Sequence, residues 1–427
     1  MTKPFRSSAL AAALLALPAM AAAQTPDTAR LASLYEQRDC FTLREALAPL
    51  GDSRAPELAF YRAFVAGAFN QPDESIRQAR AFLDGSGAAA VPRRRAEALT
   101  ILADNLARAH RYGEAADVYT QLLPLVDDST RRAALTMAHR VFDGYRGVPV
   151  QSVALPPELR VPITRDRANL INLAVSLRDT TEQWVFDTGA NLSTVSEASA
   201  RAFGMRMIDT PVDIGTATGN TTRGKLAVAP ELRIGGATVR NAVFLVLPDS
   251  ALSFPQIGYA IHGILGFPVI SALGEVTLTR AGELVVHPPS DRLGAGSDAN
   301  LCLNELEPLV RVEVAGERVH FGLDTGAQRS TLYPPFLERH RAEVEAKGTA
   351  KTARVGGAGG FREVPAFAYG PVELGIGGKM VTLQSVDVLA QPTVQRSATV
   401  FGDVGQDVIR QFESMTLDFR HMRIIFR

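Results

Sequence analysis

One short segment occurs twice in this chain of 427 residues, and the repetition limits the folds that the chain can adopt. The stretches WVFDTGANLSTVS, from Trp184, and FGLDTGAQRSTLY, from Phe321, each place Asp-Thr-Gly-Ala after apolar residues. In both, Ser-Thr follows six and seven positions after the Asp. A single Asp-Thr-Gly is an ordinary turn sequence, because Asp and Gly both favour turns. Two copies in matched surroundings indicate that a folding unit is duplicated.

The similarity continues well beyond the two motifs. PELRIGGATV, from Pro230, matches VELGIGGKMV, from Val372. GILGFPVISALGEVTL, from Gly263, matches GDVGQDVIRQFESMTL, from Gly402. Short β-branched and aromatic runs separated by Gly and polar turns predict a mainly β structure here. The duplicated unit has roughly 130 residues, which is a plausible domain size.

Each half resembles a lobe of the retropepsin-type aspartic proteases, and the resemblance covers residues from about 160 to 427. It implies two tandem β-barrel lobes around a pseudo-two-fold, pepsin-like cleft, with one catalytic Asp in each lobe, Asp187 and Asp324. The residues that match the supporting active-site loops are Thr188, Gly189, Ala190, Thr325, Gly326 and Ala327. Those that match the Gly of the ψ-shaped loop are Gly266 and Gly405.

The family also has a Gly-rich hairpin, the flap, over the cleft of each lobe. The flap candidates are Gly215, Gly219, Gly357 and Gly359. Both stretches are equally compatible with ordinary exposed loops. The family's Thr hydroxyls cross-link the two active-site loops, and Thr188 and Thr325 match them. Gly189 and Gly326 are expected to let the chain turn tightly under each carboxyl.

Two copies of the motif suit a reaction that needs two carboxyls. Hydrolysis of a peptide by a carboxyl pair requires one charged and one protonated member. Two carboxyls roughly 3 Å apart reach that state by themselves, because like charges that close cannot both ionise. The expected function is therefore an aspartic endopeptidase whose Asp dyad activates a water, with a peptide or protein as substrate and with no cofactor or metal.

Two alternatives remain open at this point. The fold could be a catalytically silent peptide- or protein-binding module, or lobes could pair between chains, so that the active unit is a dimer rather than the expected monomer. The second lobe also departs from the family: Asp403 stands where the first lobe has Ile264, and Gly322 occupies a strand position. Gly in a strand interior weakens it or marks close backbone approach. These departures predict an altered second lobe, with Asp403 itself a solvated turn residue.

The chain is expected to divide into a signal peptide (1–23), a helical domain (24–147) and two protease lobes (148–290 and 291–427). Within the helical domain, AEALTILADNLARAHRYGEAADVYTQLL, from Ala96, resembles a tetratricopeptide repeat. The apolar positions that carry this resemblance are Leu99, Leu102, Ala103, Leu106, Ala115 and Tyr119. Docking of a protein partner and a packing or spacer role are equally compatible with it.

The first 23 residues have the pattern of a secretory signal, with Lys3 and Arg6 before a short apolar core and small residues after it. We therefore expect an exported protein, located in the periplasm if the source is a Gram-negative bacterium. Lys+Arg and Asp+Glu are both 45, so charge favours neither nucleic acid nor an anionic membrane as a partner. No later segment is apolar for long enough to predict a membrane span. Cys40 and Cys302 are compatible with a disulfide or with two separate thiols.

Overall fold

The computed structural model describes residues 27–51, 55–85, 92–216, 221–294, 299–393 and 400–427. The expected signal peptide and the flap candidate Gly219 lie outside these residues. Among the described residues, the structure is mainly β in two lobes that follow an all-helical region, and this confirms the predicted fold class. The predicted division at residues 147 and 290 stays a prediction.

The N-terminal region consists of helices, each packed on its neighbours in sequence. They are α1 Thr28–Glu36, α2 Cys40–Leu47, α3 Pro56–Ala68, α4 Pro72–Asp84, α5 Pro92–Arg108, α6 Tyr112–Leu122 and α7 Ser129–Gly144. The side chains of Asp27, Asp39 and Asp128 accept backbone N–H bonds at the starts of α1, α2 and α7, which satisfies donors that the helix leaves unpaired. The six positions that resemble a tetratricopeptide repeat are all buried, in α5 and α6.

The described residues of the first lobe form strands β1 to β13, two short α-helices and two 3-10 helices. The strands are β1 Ser152–Ala154, β2 Leu159–Arg165, β3 Ile171–Leu177, β4 Thr180–Phe186, β5 Ser193–Ser196, β6 Arg206–Gly215, β7 Thr221–Ile234, β8 Ala237–Leu247, β9 Ser253–Phe254, β10 Tyr259–Ala260, β11 Gly263–Leu265, β12 Glu275–Thr279 and β13 Glu283–His287. The α-helices are α8 Glu197–Ala202 and α9 Phe267–Ala272.

The second lobe repeats this arrangement with strands β14 to β25. They are β14 Leu301–Asn304, β15 Glu307–Val314, β16 Glu317–Leu323, β17 Thr331–Leu332, β18 Thr349–Gly357, β19 Gly360–Tyr369, β20 Val372–Ile376, β21 Lys379–Leu383, β22 Val386–Leu389, β23 Gly402–Val404, β24 Ser414–Asp418 and β25 Arg423–Phe426. Its helices are α10 Pro334–Lys347 and α11 Gln406–Ile409.

The duplication is visible in the strand pairing. In the first lobe β4 runs parallel to β11, which is antiparallel to β5. In the second lobe β16 runs parallel to β23, which is antiparallel to β17. The lobes join through β12 and β24, whose central partners Thr277 and Thr416 share a hydroxyl hydrogen bond of 2.8 Å. One continuous sheet therefore fixes the two lobes relative to each other.

The helical region is attached to both lobes. Cys40 of α2 and Cys302 of β14 form a disulfide, which resolves the pairing that the sequence left open. The Tyr145 hydroxyl, fully buried, donates to the carbonyl of Phe244 in the first lobe at 2.9 Å. Among the described residues, none of the helices combines the length and apolar character that crossing a membrane requires.

Candidate active site

Each Asp-Thr-Gly-Ala segment leaves the central strand of its lobe at the same place. Asp187 follows β4, and its N–H donates to the carbonyl of Leu265 at 3.0 Å. Asp324 follows β16, and its N–H donates to the carbonyl of Val404 at 3.0 Å. The parallel neighbour strand thus extends its hydrogen bonding to each Asp, which holds both residues at matching positions.

The two loops are cross-linked through their Thr residues, both of which are fully buried. The N–H of Thr188 donates to Oγ1 of Thr325 at 3.0 Å, and the N–H of Thr325 donates to Oγ1 of Thr188 at 3.1 Å. Each hydroxyl in turn donates across the interface, Thr188 to the Leu323 carbonyl at 2.7 Å and Thr325 to the Phe186 carbonyl at 2.8 Å. Four hydrogen bonds therefore hold the loops together.

This arrangement places each carboxyl against the opposite loop. A Cβ added to Gly189 would lie 2.8 Å from Cγ of Asp324, and one added to Gly326 would lie 2.5 Å from Cγ of Asp187. On its own side, the Gly189 N–H donates to Oδ1 of Asp187 at 2.8 Å. The two Asp side chains are thus neighbours at the interface between the lobes.

The reason for the two Gly residues differs from the expected one. Neither Gly189 nor Gly326 has a positive φ, so a special backbone conformation does not require Gly there. Gly is required there because of the opposite carboxyl, since real Cβ atoms do not approach other atoms so closely. Sequence reasoning placed the restriction within each loop, whereas it acts between the loops.

The ψ-loop Gly residues lie against the active-site loops. A Cβ on either Gly266 or Gly405 would come within 2.6 Å of backbone atoms of the adjacent loop. The Gly266 N–H donates to Oγ of Ser193 and the Gly405 N–H donates to Oγ of Ser330, both at 3.0 Å. Sequence reasoning missed this function of the two Ser residues, although their matched spacing after each Asp was a signal for it.

The Ala residues that end the two motifs make matching backbone contacts. The carbonyl of Ala190 accepts from the N–H of Phe267 at 2.8 Å, and that of Ala327 accepts from the N–H of Gln406 at 2.9 Å. Each active-site loop is thus linked directly, at a residue with a small side chain, to the segment after the ψ-loop Gly of its lobe.

Two hairpins, β6–β7 and β18–β19, carry the described flap candidates. Gly215 ends β6, Gly357 ends β18, and Gly359 lies in the turn that joins β18 to β19. The Gly359 N–H donates to the carbonyl of Ala251 in the first lobe at 2.9 Å. A Cβ on Gly359 would lie 2.6 Å from Oγ1 of Thr216, the residue after β6. The tip of the second hairpin therefore contacts the first lobe beside the end of the first hairpin.

The segment after each ψ-loop Gly differs between the lobes. In the first lobe the Phe267 ring packs edge-on against Phe419, with the centroids 5.6 Å apart. In the second, the buried Gln406 amide donates to the carbonyl of Thr325 at 2.8 Å and accepts from Nη1 of Arg165 at 2.5 Å. Burial and the nearby Arg410 lower the pKa of Arg165. A polar bridge from the first lobe thus supports the second active-site loop, and sequence reasoning did not find it.

Asp403 is not the solvated turn residue that we expected. It is 4% exposed, in β23, and the Tyr333 hydroxyl donates to its Oδ2. A single acidic residue between Gly and Val has no pattern that reveals burial, because burial here comes from the neighbouring strands β16 and β17.

A group of potential metal ligands lies where the helical region meets the second lobe. One ligand atom from each of Cys40, Cys302 and His320 lies within 4.8 Å of the others. The two sulfurs are joined in the disulfide, so this group contributes a covalent link between the helical region and the second lobe.

Comparison with known families matches the aspartyl protease family twice, over residues 173–269 and 310–408. Each match includes one Asp-Thr-Gly-Ala segment and the ψ-loop Gly of the same lobe. Among curated proteins, none matches this chain.

Proposed function

Both β lobes of this chain belong to the aspartyl protease family, and on that premise we propose that the protein is an exported aspartic endopeptidase. Asp187 and Asp324 form its catalytic dyad, and the substrate is a peptide or protein. One chain supplies both halves of the dyad, so the active unit is a monomer.

The observation that carries this proposal is the reciprocal packing of the two carboxyls. Asp324 lies against Gly189 and Asp187 lies against Gly326, which brings the carboxyls of two different lobes side by side. A module that only binds peptides has no need of this pair. Neighbouring carboxyls share a proton, because both cannot be charged at short range, and they titrate as a pair.

The chemistry falls to the carboxyls and a water molecule. The charged member takes a proton from the water as it attacks the scissile carbonyl, and the protonated member donates a hydrogen bond to the carbonyl oxygen. The C–N bond then breaks, and the proton taken from the water passes to the leaving nitrogen. The hydroxyls of Thr188 and Thr325 are buried and bonded across the loops, so their function is to hold the dyad in place.

Substrate would bind in the extended conformation beneath the two hairpins, where strand-like backbone pairing gives affinity. The contact between Gly359 and Ala251 lies across that path. We propose that the second hairpin lifts from the first lobe to admit a peptide and closes over it, as mobile loops do in many enzymes.

Export is part of the proposal. The pattern of the first 23 residues motivates it, and the Cys40–Cys302 disulfide is consistent with an oxidising compartment such as the periplasm. Fractionation of cells that produce the full-length protein tests it, since mature protein that stays in the cytoplasm would contradict export.

The test of activity is cleavage of a mixed peptide library by the purified mature protein, from about pH 3 to about pH 7. We expect Asp187→Asn and Asp324→Asn each to abolish cleavage, and a statine-type inhibitor to block it. Asp127→Asn, at an exposed position before α7, is the matched control and should cut normally. Loss from one active-site variant alone would identify the other lobe as a scaffold. Peptide binding without cleavage at any pH would support a binding module.

A further inference from the structure

The two lobes differ in the pair of residues that lies beside each catalytic Asp. In the first lobe the pair is Val185 of β4 and Ile264 of β11, which are partners in the parallel ladder. In the second lobe the equivalent partners are Gly322 of β16 and Asp403 of β23. An apolar pair in one lobe is thus replaced by a Gly and a carboxylate in the other.

These pairs face the same side as the catalytic carboxyls. Side chains alternate between the faces of a strand, so Val185 shares a face with Asp187 and Gly322 shares a face with Asp324. Ladder partners also share a face, which adds Asp403 to that side of the second lobe.

The residues that alternate with these pairs along the strands point to the opposite face. Phe186, Leu265, Leu323 and Val404 belong to the large apolar core that fills the interior of the lobes. The pairs beside the two Asp residues therefore lie on the side of the two carboxyls, which makes them candidates for the walls of the cleft.

The wall of the first lobe is apolar. Val185 and Ile264 belong to a cluster with Phe254, and Ala190 of the active-site loop packs against that cluster. Ala358, in the turn of the second hairpin, packs against it as well. The cluster thus extends from the floor of the cleft to the hairpin above it.

The wall of the second lobe has the same depth but a different chemistry. Asp403 is 4% exposed and Ile264 is 8% exposed, so the two side chains are buried to a similar degree. The Tyr333 hydroxyl orients the Asp403 carboxylate. A carboxyl in place of an aliphatic side chain distinguishes the two walls, and the bond from Tyr333 is one of about four hydrogen bonds that a carboxylate can accept.

We propose that Asp403 is a specificity determinant that makes the subsite beside Asp324 select a cationic side chain, Lys or Arg, while Val185 and Ile264 make the subsite beside Asp187 select an apolar one. The inference rests on the proposed peptidase function and names its substrate class: peptides with a basic residue on one side of the cut and an apolar residue on the other. Removed from bulk water, a carboxylate and an ammonium or guanidinium group attract more strongly than at the surface, and their hydrogen bonds are charge-assisted.

The first experiment compares cleavage-site preferences in a peptide library. We expect wild type to enrich Lys and Arg at one position next to the cut, and Asp403→Ile to lose that enrichment. Ile264→Asp is the matched variant of the other lobe, and it should add a basic preference on the opposite side of the cut. A wild-type profile without basic enrichment, or one that Asp403→Ile leaves unchanged, would overturn the proposal.

A binding experiment keeps the inference independent of turnover and of a folding defect in Asp403→Ile. Two uncleavable statine-type peptides are compared that differ only in Lys or norleucine at the residue flanking the statine. Wild type should bind the Lys peptide at least about tenfold more tightly. Asp403→Asn, which retains the shape of the side chain and an acceptor for Tyr333, should reduce that ratio to near one.

The two proposals fail in different ways. Selective binding of the Lys peptide with no cleavage of any peptide would overturn the peptidase function and support the role of Asp403. Cleavage that depends on both catalytic Asp residues, with equal binding of the two peptides, would support the peptidase and overturn the role of Asp403. A wild-type protein that binds neither peptide would overturn the inference.

Discussion

The first and second lobes hold the Asp residues of their duplicated motifs in nearly identical ways and differ in what surrounds them. The N–H bonds from the two Asp residues, and those from the two ψ-loop Gly residues to Ser, all measure 3.0 Å. Around them, Phe267 of the first lobe corresponds in sequence to Gln406 of the second, and Ile264 corresponds to Asp403. The residues that fix the carboxyls have been kept after duplication, whereas residues beside them have diverged.

The hairpins differ in the same way. The helix α7 lies along the first hairpin, where Gly144 meets Leu226 and Met137 reaches Gly215 at the outer end of β6. In the second lobe, α10 meets its hairpin at the base, where the ring of Phe336 lies 6.3 Å from that of Tyr369. The helical region therefore supports one flap candidate along its length, so we expect opening of the cleft to depend on the other.

The largest expected effect tests whether the two loops are equivalent. Gly189→Ala and Gly326→Ala should each lower kcat/KM by about 100-fold or more, because the new Cβ displaces the opposite carboxyl. Peptide hydrolysis measures it. Gly236→Ala is the control, since a Cβ there meets side-chain atoms only at ordinary distances of 3.5 Å and beyond. Full activity in one of the two loop variants would show that the carboxyl it faces is dispensable.

Much of this symmetric part could be predicted from the sequence, and the reason is physical. The duplicated motif marks Asp187 and Asp324, and any chain that must build the same loop twice repeats the residues that build it. The alternation of short apolar runs and turns predicts the β lobes, and the segment that resembles a tetratricopeptide repeat predicts helices.

What could not be predicted arises from contacts between segments that are distant along the chain. The disulfide joins residues that are 262 positions apart. The bridge from Arg165 to Gln406 spans 241 positions. Burial of Asp403 depends on strands β16 and β17, and the need for Gly189 depends on a carboxyl from the other lobe. None of these has a local pattern, because the partner that determines each one is supplied by tertiary structure.

The next effect concerns the cross-link between the loops. Thr188→Val and Thr325→Val should each lower the free energy of unfolding by about 2 kcal/mol or more, because each leaves a buried N–H and a buried carbonyl without their partners. Thr→Ser at either position keeps the hydroxyl and should cost only about 1 kcal/mol for the lost methyl group. Urea unfolding measures both. A large loss in one lobe alone would show that the cross-link is not symmetric.

A smaller effect is a difference in amide exchange between the two hairpins. Backbone amides of β6 and β7 should exchange with solvent at least about tenfold more slowly than those of β18 and β19, because α7 buries the outer part of the first hairpin. Amide hydrogen exchange followed by mass spectrometry measures the rates. Leu226→Ala, which removes the side chain that faces Gly144, should make the exchange rates of the two hairpins more similar. Equal rates in the wild type would mean that the helical region does not restrain the first hairpin.

The smallest effect tests the bridge that the second lobe alone has among the described residues. Arg165→Met removes the donor to the Gln406 amide and should lower the free energy of unfolding by about 1 kcal/mol, the usual contribution of such a hydrogen bond. Because Gln406 also holds the carbonyl of Thr325, the same variant should lower kcat more than it raises KM, since the second carboxyl loses part of its support. Arg160→Met, at a surface ion pair with Glu158, is the matched control and should leave the urea midpoint and both kinetic constants unchanged. If the two variants behave alike, Gln406 is held by its own loop, and the difference between the lobes at this position is one of packing rather than of support for the dyad.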